Sequence, residues 1–337
     1  MKVDAEVAVS SPSEIGELAR KAEEYGFDGF WVNETKHDPF VQLAMAASTT
    51  KRIDLGTSIA LAFTRSPTTV AYTAWDLQSL SGGRLILGLG SQVKGHIERR
   101  FGMKWESPAP KMKEYVAALK AVWDCWQEGK ELRFDGRFYK LSLMTPFFNP
   151  GPIEHSGIPV FLAGVNAAMC RVSGEVADGL HVHPLHTPRY LREVVNPSLK
   201  LGLAKSGRKR EEFSVSASVF AAVGANSKEI AAVKEFYRQQ VAFYASTRTY
   251  RRLMELHGWT DVADRLHDYS VTGQWDRMAG EVSDEILGEF VVEGGWGEIG
   301  GILSRRYRGL ADRIKLYLPF DGSEEWKDLV SGFRASR

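Results

Sequence analysis

Short apolar runs alternate with amphipathic stretches from the first residues of this chain, and that rhythm constrains its fold more than any other feature. The runs fall at Val3–Val9, Gly29–Val32, Ile53–Ile59, Leu85–Leu89, Val160–Ala163, Gly179–Val182, Phe213–Ala222 and Arg313–Leu318. Their length and apolar character read as buried strands. Between them, apolar residues repeat at helical spacing. Ile15, Leu18, Ala19, Ala22 and Tyr25 share one face, as do Met112, Tyr115, Val116, Leu119, Val122, Trp123 and Trp126. Ser11-Pro12-Ser13-Glu14 has the pattern of a capping box with proline at the first helical position. Strands alternating with helices without a linker predict an α/β fold, a (β/α)8 TIM barrel with insertions. A doubly wound open sheet is the other arrangement this rhythm allows. Its nucleotide site would follow strand 1 on Gly-x-Gly-x-x-Gly, and here strand 1 runs toward Ser11-Pro12 instead. The chain reads as one barrel domain over 1–337. The alternation stops over 227–308, which predicts a long, mostly helical insertion between strands 7 and 8. Residues 131–158 read as irregular.

Bulk composition narrows the function classes. Net charge is +1, so no global field recommends nucleic acid or a membrane surface as partner. Cys125 and Cys170 lie inside helical patterns and read as buried small hydrophobes, with neither a disulfide framework nor metal-ligand spacing. No apolar run approaches the roughly 18 residues of a membrane span. Met1 to Asp4 lead straight into a strand without a signal-peptide core, so a cytoplasmic location is expected.

A barrel carries its chemistry at the C-terminal ends of its strands. Strand 4 ends on Gly88 and Gly90, which let backbone amides approach a ligand, and Ser91 is a candidate cap for a helical turn over 92–96. Strand 2 ends in Asn33-Glu34-Thr35, strand 5 in Ala163-Gly164-Val165-Asn166, and strand 6 in His181-Val182-His183-Pro184. His181 and His183 point the same way if strand 6 stays extended, so one of them can face a substrate. The three histidines within 181–186 have no carboxylate nearby in sequence, and no metal site is expected. Ser214, Ser216 and Ser218 alternate with Phe213, Val215, Ala217 and Val219, which suits a narrow barrel interior. The aromatics of 236–259 and Trp275 read mainly as core of the insertion, with a minority roofing a substrate pocket.

Four motifs carry a resemblance. Gly-Phe-Asp-x-x-Trp-Val at 26–32, Lys-Arg-Ile-Asp-Leu-Gly-Thr at 51–57, Leu-Ser-Gly-Gly-Arg-Leu-x-Leu-Gly-Leu-Gly at 80–90 and Ala-Asp-Gly at 177–179 resemble the bacterial luciferase-like superfamily over essentially the whole chain. Within it the chain is most similar to the coenzyme F420-dependent oxidoreductases. The resemblance implies a strand-3 bulge at Thr57, Ser58 and Ile59, with a non-prolyl cis peptide at Ser58–Ile59 behind the deazaflavin ring. It implies cofactor contacts from Glu34, from Gly90, Ser91 and Gln92, and from His96 to the polar tail. It also implies a phosphate site at Ala163, Gly164, Val165 and Asn166, where first-turn amides are free. Glu34 is the candidate catalytic residue, because a half-buried carboxylate is expected to have a raised pKa and to exchange a proton. Thr35 stands where many relatives carry a histidine, and with His181 and His183 it is a candidate substrate contact. Val93 stands where sugar-phosphate dehydrogenases of the family carry a glutamate acid, which argues against that activity. The resemblance thus implies hydride transfer between F420 and a small, hydrophobic organic substrate, and a homodimer. An FMN-dependent monooxygenase using O₂, and a non-catalytic flavin- or deazaflavin-binding protein, are the alternatives.

Overall fold

Every strand of the sheet forms beside its sequence neighbour, and the last returns to the first. The computed structural model describes residues 1–9 and 11–336. Its barrel strands are β1 (Lys2–Val7), β2 (Gly29–Val32), β3 (Asp54–Thr57), β4 (Leu85–Gly90), β5 (Val160–Gly164), β6 (Gly179–Val182), β7 (Ser214–Gly224) and β8 (Arg313–Leu316). Each pairs in parallel with the next, and β8 closes on β1 from Lys2↔Arg313 to Asp4↔Lys315. The fold is therefore a closed (β/α)8 barrel. Two short strands, Ala60–Leu61 and Val291–Gly295, complete the ten-stranded sheet.

Side-chain alternation splits the apolar residues into two bodies. Outward residues such as Val3, Ala5, Val7, Phe30, Leu55, Leu87, Leu162, Leu180, Val215 and Ile314 pack against the surrounding helices in one large cluster. Trp31, Ile86 and Phe161 form a second, separate cluster inside the barrel. Full burial of one such aliphatic side chain contributes about 1.5–3 kcal/mol, so the outer shell dominates stability. The inner cluster needs glycine on neighbouring strands. A Cβ on Gly56 would sit 2.2 Å from the Trp31 ring, and one on Gly179 would sit 2.5 Å from the Phe161 ring.

The structure refines the expected elements. Strand 1 ends at Val7 and strand 8 at Leu316, each two residues short. Strand 3 breaks after Thr57 and resumes at Ala60, at the bulge the resemblance implies. The insertion over 227–308 is not wholly helical: Val291–Gly295 pairs in parallel with Phe220–Gly224, the outer half of β7. That run is too short for periodicity to separate strand from helix. Residues 131–158 contain a small hairpin, Phe134–Asp135 with Lys140–Leu141. Among the described residues no helix is long and apolar enough to cross a membrane.

Candidate active site

The floor of the barrel mouth is built where β3 loses step with β4. The two strands pair at Gly56↔Ile86 and again at Ala60↔Leu89, which leaves one extra residue on the β3 side. The Ser58–Ile59 peptide within this bulge is cis, as expected. The Thr57 hydroxyl replaces the lost ladder bonds. It donates to the Gly88 carbonyl at 2.6 Å and accepts the Gly88 amide at 2.9 Å. Gly88 and Gly90 also serve this bulge. A Cβ on Gly88 would fall 1.8 Å from the Thr57 carbonyl oxygen, and one on Gly90 would fall 2.5 Å from Ile59 Cδ1. Half-buried Ser58 and Ile59 form the surface that results, edged by Gly90 and Ala163.

A charge pair that sequence reading missed lies beneath that floor. Lys315 projects into the barrel from β8 and donates to the Ser58 hydroxyl. Its Nζ also lies 3.0 Å from Glu6 Oε2, with 3% of the lysine side chain exposed. The signal was present in the sequence: Asp4 and Glu6, like Arg313 and Lys315, place charges at alternate positions of strands that should be buried on both faces.

The proton-transfer role expected of Glu34 meets a different arrangement. Its carboxylate accepts the Leu61 amide at 2.7 Å and pairs with Arg65 Nη1 at 2.8 and 2.9 Å. Arg65 also holds Asp38 at 2.7 Å. Both Glu34 oxygens are engaged as acceptors, so the side chain reads as a clamp between the loops after β2 and β3. Thr35 is exposed, its hydroxyl donates to Asn33 Oδ1, and its carbonyl accepts from Arg100.

The strand-4 loop also differs in detail. The helix after it spans Lys94–Arg99 and begins at Val93, so Ser91 does not cap it. The Ser91 hydroxyl donates to the Gln92 carbonyl, and Gln92 takes a left-handed φ of 58°. His96 is exposed on this short helix. At the end of β5, Asn166 caps helix Ala167–Val176 by accepting the Met169 amide at 3.0 Å. The Val165 carbonyl accepts the Tyr190 hydroxyl at 2.9 Å, and Gly164 is buried.

The strand-6 histidines part company. His181 is 5% exposed and boxed by Trp31 and Phe161, at ring separations of 4.8 and 5.4 Å. Burial first, then the charges of Lys315 and Arg313, hold its pKa well below the usual histidine range, against a weaker opposing effect of the Thr57 backbone. It is an interior residue below the mouth. His183 lies at the mouth. Burial, with His186 and Lys315, pushes its pKa down to about 3. Its Nδ1 accepts the Leu185 amide at 3.1 Å, so the neutral ring carries its proton on Nε2.

The insertion supplies a roof. The His183 ring packs edge-on against Tyr244 at 4.6 Å and lies 5.0 Å from Tyr250. The Tyr244 hydroxyl is 2.8 Å from that of Tyr317, which follows Lys315 on the inward side of the β8 end. Burial, and for Tyr244 the bond to Tyr317, raises the pKa values of Tyr244 and Tyr250. The sequence placed these aromatics in the insertion without showing which of them reach the barrel.

Fold and site together define a (β/α)8 barrel with a bulged floor, a buried lysine beneath it and an aromatic roof at the C-terminal mouth. The sequence profile of the luciferase-like monooxygenase family matches residues 2–313, and the chain belongs to that family. An uncharacterized protein of Mycobacterium tuberculosis, Rv1360, is 48% identical over 308 residues, covering 90% of this chain and 91% of that one. The 5,10-methylenetetrahydromethanopterin reductase of Archaeoglobus fulgidus is 27% identical, covering 83% and 82%. Among solved structures, the coenzyme F420-dependent tetrahydromethanopterin reductase of Methanopyrus kandleri superposes with a TM-score of 0.79 at 21% identity, covering 98% and 97%.

Proposed function

We propose that this protein is an oxidoreductase that transfers a hydride between coenzyme F420 and an apolar organic substrate. The observation that carries the reading is the floor: a bulge at Thr57–Ile59 seated on Gly88 and Gly90 at the barrel mouth, where neutral rings of the insertion also gather. Such a surface would back a planar tricyclic ring. A putative coenzyme F420-dependent oxidoreductase of Mycobacterium tuberculosis, 29% identical to this chain over 304 residues, supports the same cofactor. Ser58 and Ile59 would back the ring, and Gly90, Ser91 and Gln92 would border it. Amides at the start of helix Ala167–Val176 would face the phosphate, and His96 would face the polar tail. The bound deazaflavin supplies a hydride donor or acceptor. The chain's own residues exclude water with the roof, hold Ser58 through Lys315 and Glu6, and fix the floor loops through Glu34 and Arg65.

Titration of the apoprotein with F420 and separately with FMN, followed by fluorescence quenching, tests this reading. Micromolar or tighter F420 binding with at least about tenfold weaker FMN binding is expected. The reverse order would reassign the protein to flavin chemistry, and binding of neither would remove the cofactor assignment.

A further inference from the structure

The roof carries hydrogen-bond donors without charge, and that narrows what can lie beneath it. The Tyr244 and Tyr317 hydroxyls bond each other at 2.8 Å. One phenol must donate and the other accept, so one phenolic proton of the pair stays free. Among the described residues neither hydroxyl has a second partner, and the Tyr250 hydroxyl has none. His183 uses Nδ1 as an acceptor, which leaves Nε2–H as a further donor. Burial lowers His183 to about 3 and raises Tyr244 and Tyr250, so these three groups are neutral near neutral pH. Lys315 beneath the floor is balanced by Glu6 at 3.0 Å, and Arg65 at the floor loops by Glu34 and Asp38 at 2.8 and 2.7 Å.

The rings also continue outward. Tyr244 packs against Phe243 at 5.4 Å, and Phe243 against Trp275 at 6.4 Å. Phe243 is 49% and Trp275 is 55% exposed, so an aromatic track leads from solvent to the barrel mouth. Aromatic faces favour a flat, polarisable ligand, stacked or edge-on. Neutral donors favour a carbonyl oxygen. A carboxylate or phosphate buried here would lack a free cation to offset its desolvation.

We infer that the mouth recognises an uncharged, planar, conjugated carbonyl compound, its ring against Tyr244, Tyr250 and His183 and its oxygen on the free phenolic proton of the Tyr244–Tyr317 pair. Tyr244 is the specificity-determining residue. The inference rests on the proposed F420 reading for what lies beneath the ligand, but its recognition groups belong to this chain alone.

A matched pair of probes tests it: coumarin, a neutral flat conjugated lactone, and coumarin-3-carboxylate, the same ring with a charge. Calorimetric titration of the protein loaded with oxidised F420 needs no turnover. Coumarin is expected to bind at least about tenfold tighter than its carboxylate. Tyr244→Phe combined with Tyr317→Phe, which keeps both rings and removes the pair's phenolic protons, should weaken coumarin about three- to tenfold. Tyr244→Ala should weaken it more than about tenfold. Equal or tighter binding of the carboxylate, unchanged coumarin affinity in both variants, or no coumarin binding by the wild type would each overturn the inference. F420 affinity measured on the same samples separates the two failures. If F420 binds and coumarin does not, only this inference falls; if F420 itself does not bind, the cofactor reading falls as well.

Discussion

Arg313 and Lys315 stand two residues apart on β8, point into the same barrel, and are 3% and 2% exposed. They live under different terms. Arg313 is saturated: it forks onto Asp4 at 2.7 and 2.8 Å and reaches Asp54 at 2.8 Å, while Lys2 holds Asp54 from outside. Burial alone would raise the Asp54 pKa, but Arg313 and Lys2 outweigh it and hold the carboxyl below its ordinary value. Lys315 has one carboxylate and one hydroxyl, and the hydroxyl belongs to the bulged floor. A buried charge with every partner supplied locks a fold. A buried charge whose hydroxyl partner belongs to the floor of the mouth can position a ligand. The lower pair therefore should set stability, and the upper pair should set the site.

The largest expected effect breaks the lower pair. Arg313→Met leaves two carboxylates without their guanidinium and should destabilise the protein by about 3–5 kcal/mol in urea unfolding. A loss below about 1 kcal/mol would mean the network is not structural. Next comes the seat of the floor. Gly90→Ala should cost about 1–3 kcal/mol through overpacking against Ile59, and adding Ile59→Ala should recover most of that cost. Absence of recovery would place the clash elsewhere.

Acid stability sharpens the contrast from another side. Burial, eased by the His183 carbonyl and reinforced by Arg306, pushes the His186 pKa down to about 4. The unfolded chain titrates near about 6.5, so between those values the unfolded state binds the extra proton. Stability should rise with pH through this window by about 1.4 kcal/mol per pH unit for each such histidine, and be complete above it. His186→Gln should flatten the slope of unfolding free energy between about pH 4.5 and about pH 6.5 by one proton; an unchanged slope would contradict the buried neutral ring. The smallest effect belongs to Glu34. Glu34→Gln keeps an acceptor for the Leu61 amide and removes the charge facing Arg65, and should cost about 1 kcal/mol or less. Turnover should fall by less than about threefold; a hundredfold loss would restore Glu34 as a proton-transfer group.

The sequence was most readable where one period ruled. The buried strands and their eight-fold alternation with helices follow from local rules, and both are found. The Ser58–Ile59 bulge was legible only through family resemblance, because Thr57-Ser58-Ile59 by itself reads as ordinary strand. What stayed hidden depends on residues far apart in the chain. Arg65 closes on Glu34, Lys315 on Glu6 and Ser58, and Tyr244 on Tyr317, and no local pattern encodes those distances. The charges alternating along β1 and β8 were the one available sign that the barrel interior is not an ordinary apolar core.

The division between the two cations is tested most directly by F420-induced stabilisation of wild type and Lys315→Met in parallel unfolding measurements. At a ligand concentration about 100 times its Kd, the wild type should gain about 2.7 kcal/mol. Lys315→Met should fold, and with affinity lowered about tenfold it should gain only about 1.4 kcal/mol at the same concentration. An equal gain in both proteins would contradict the account, because the lysine beneath the floor would then be as structural as Arg313.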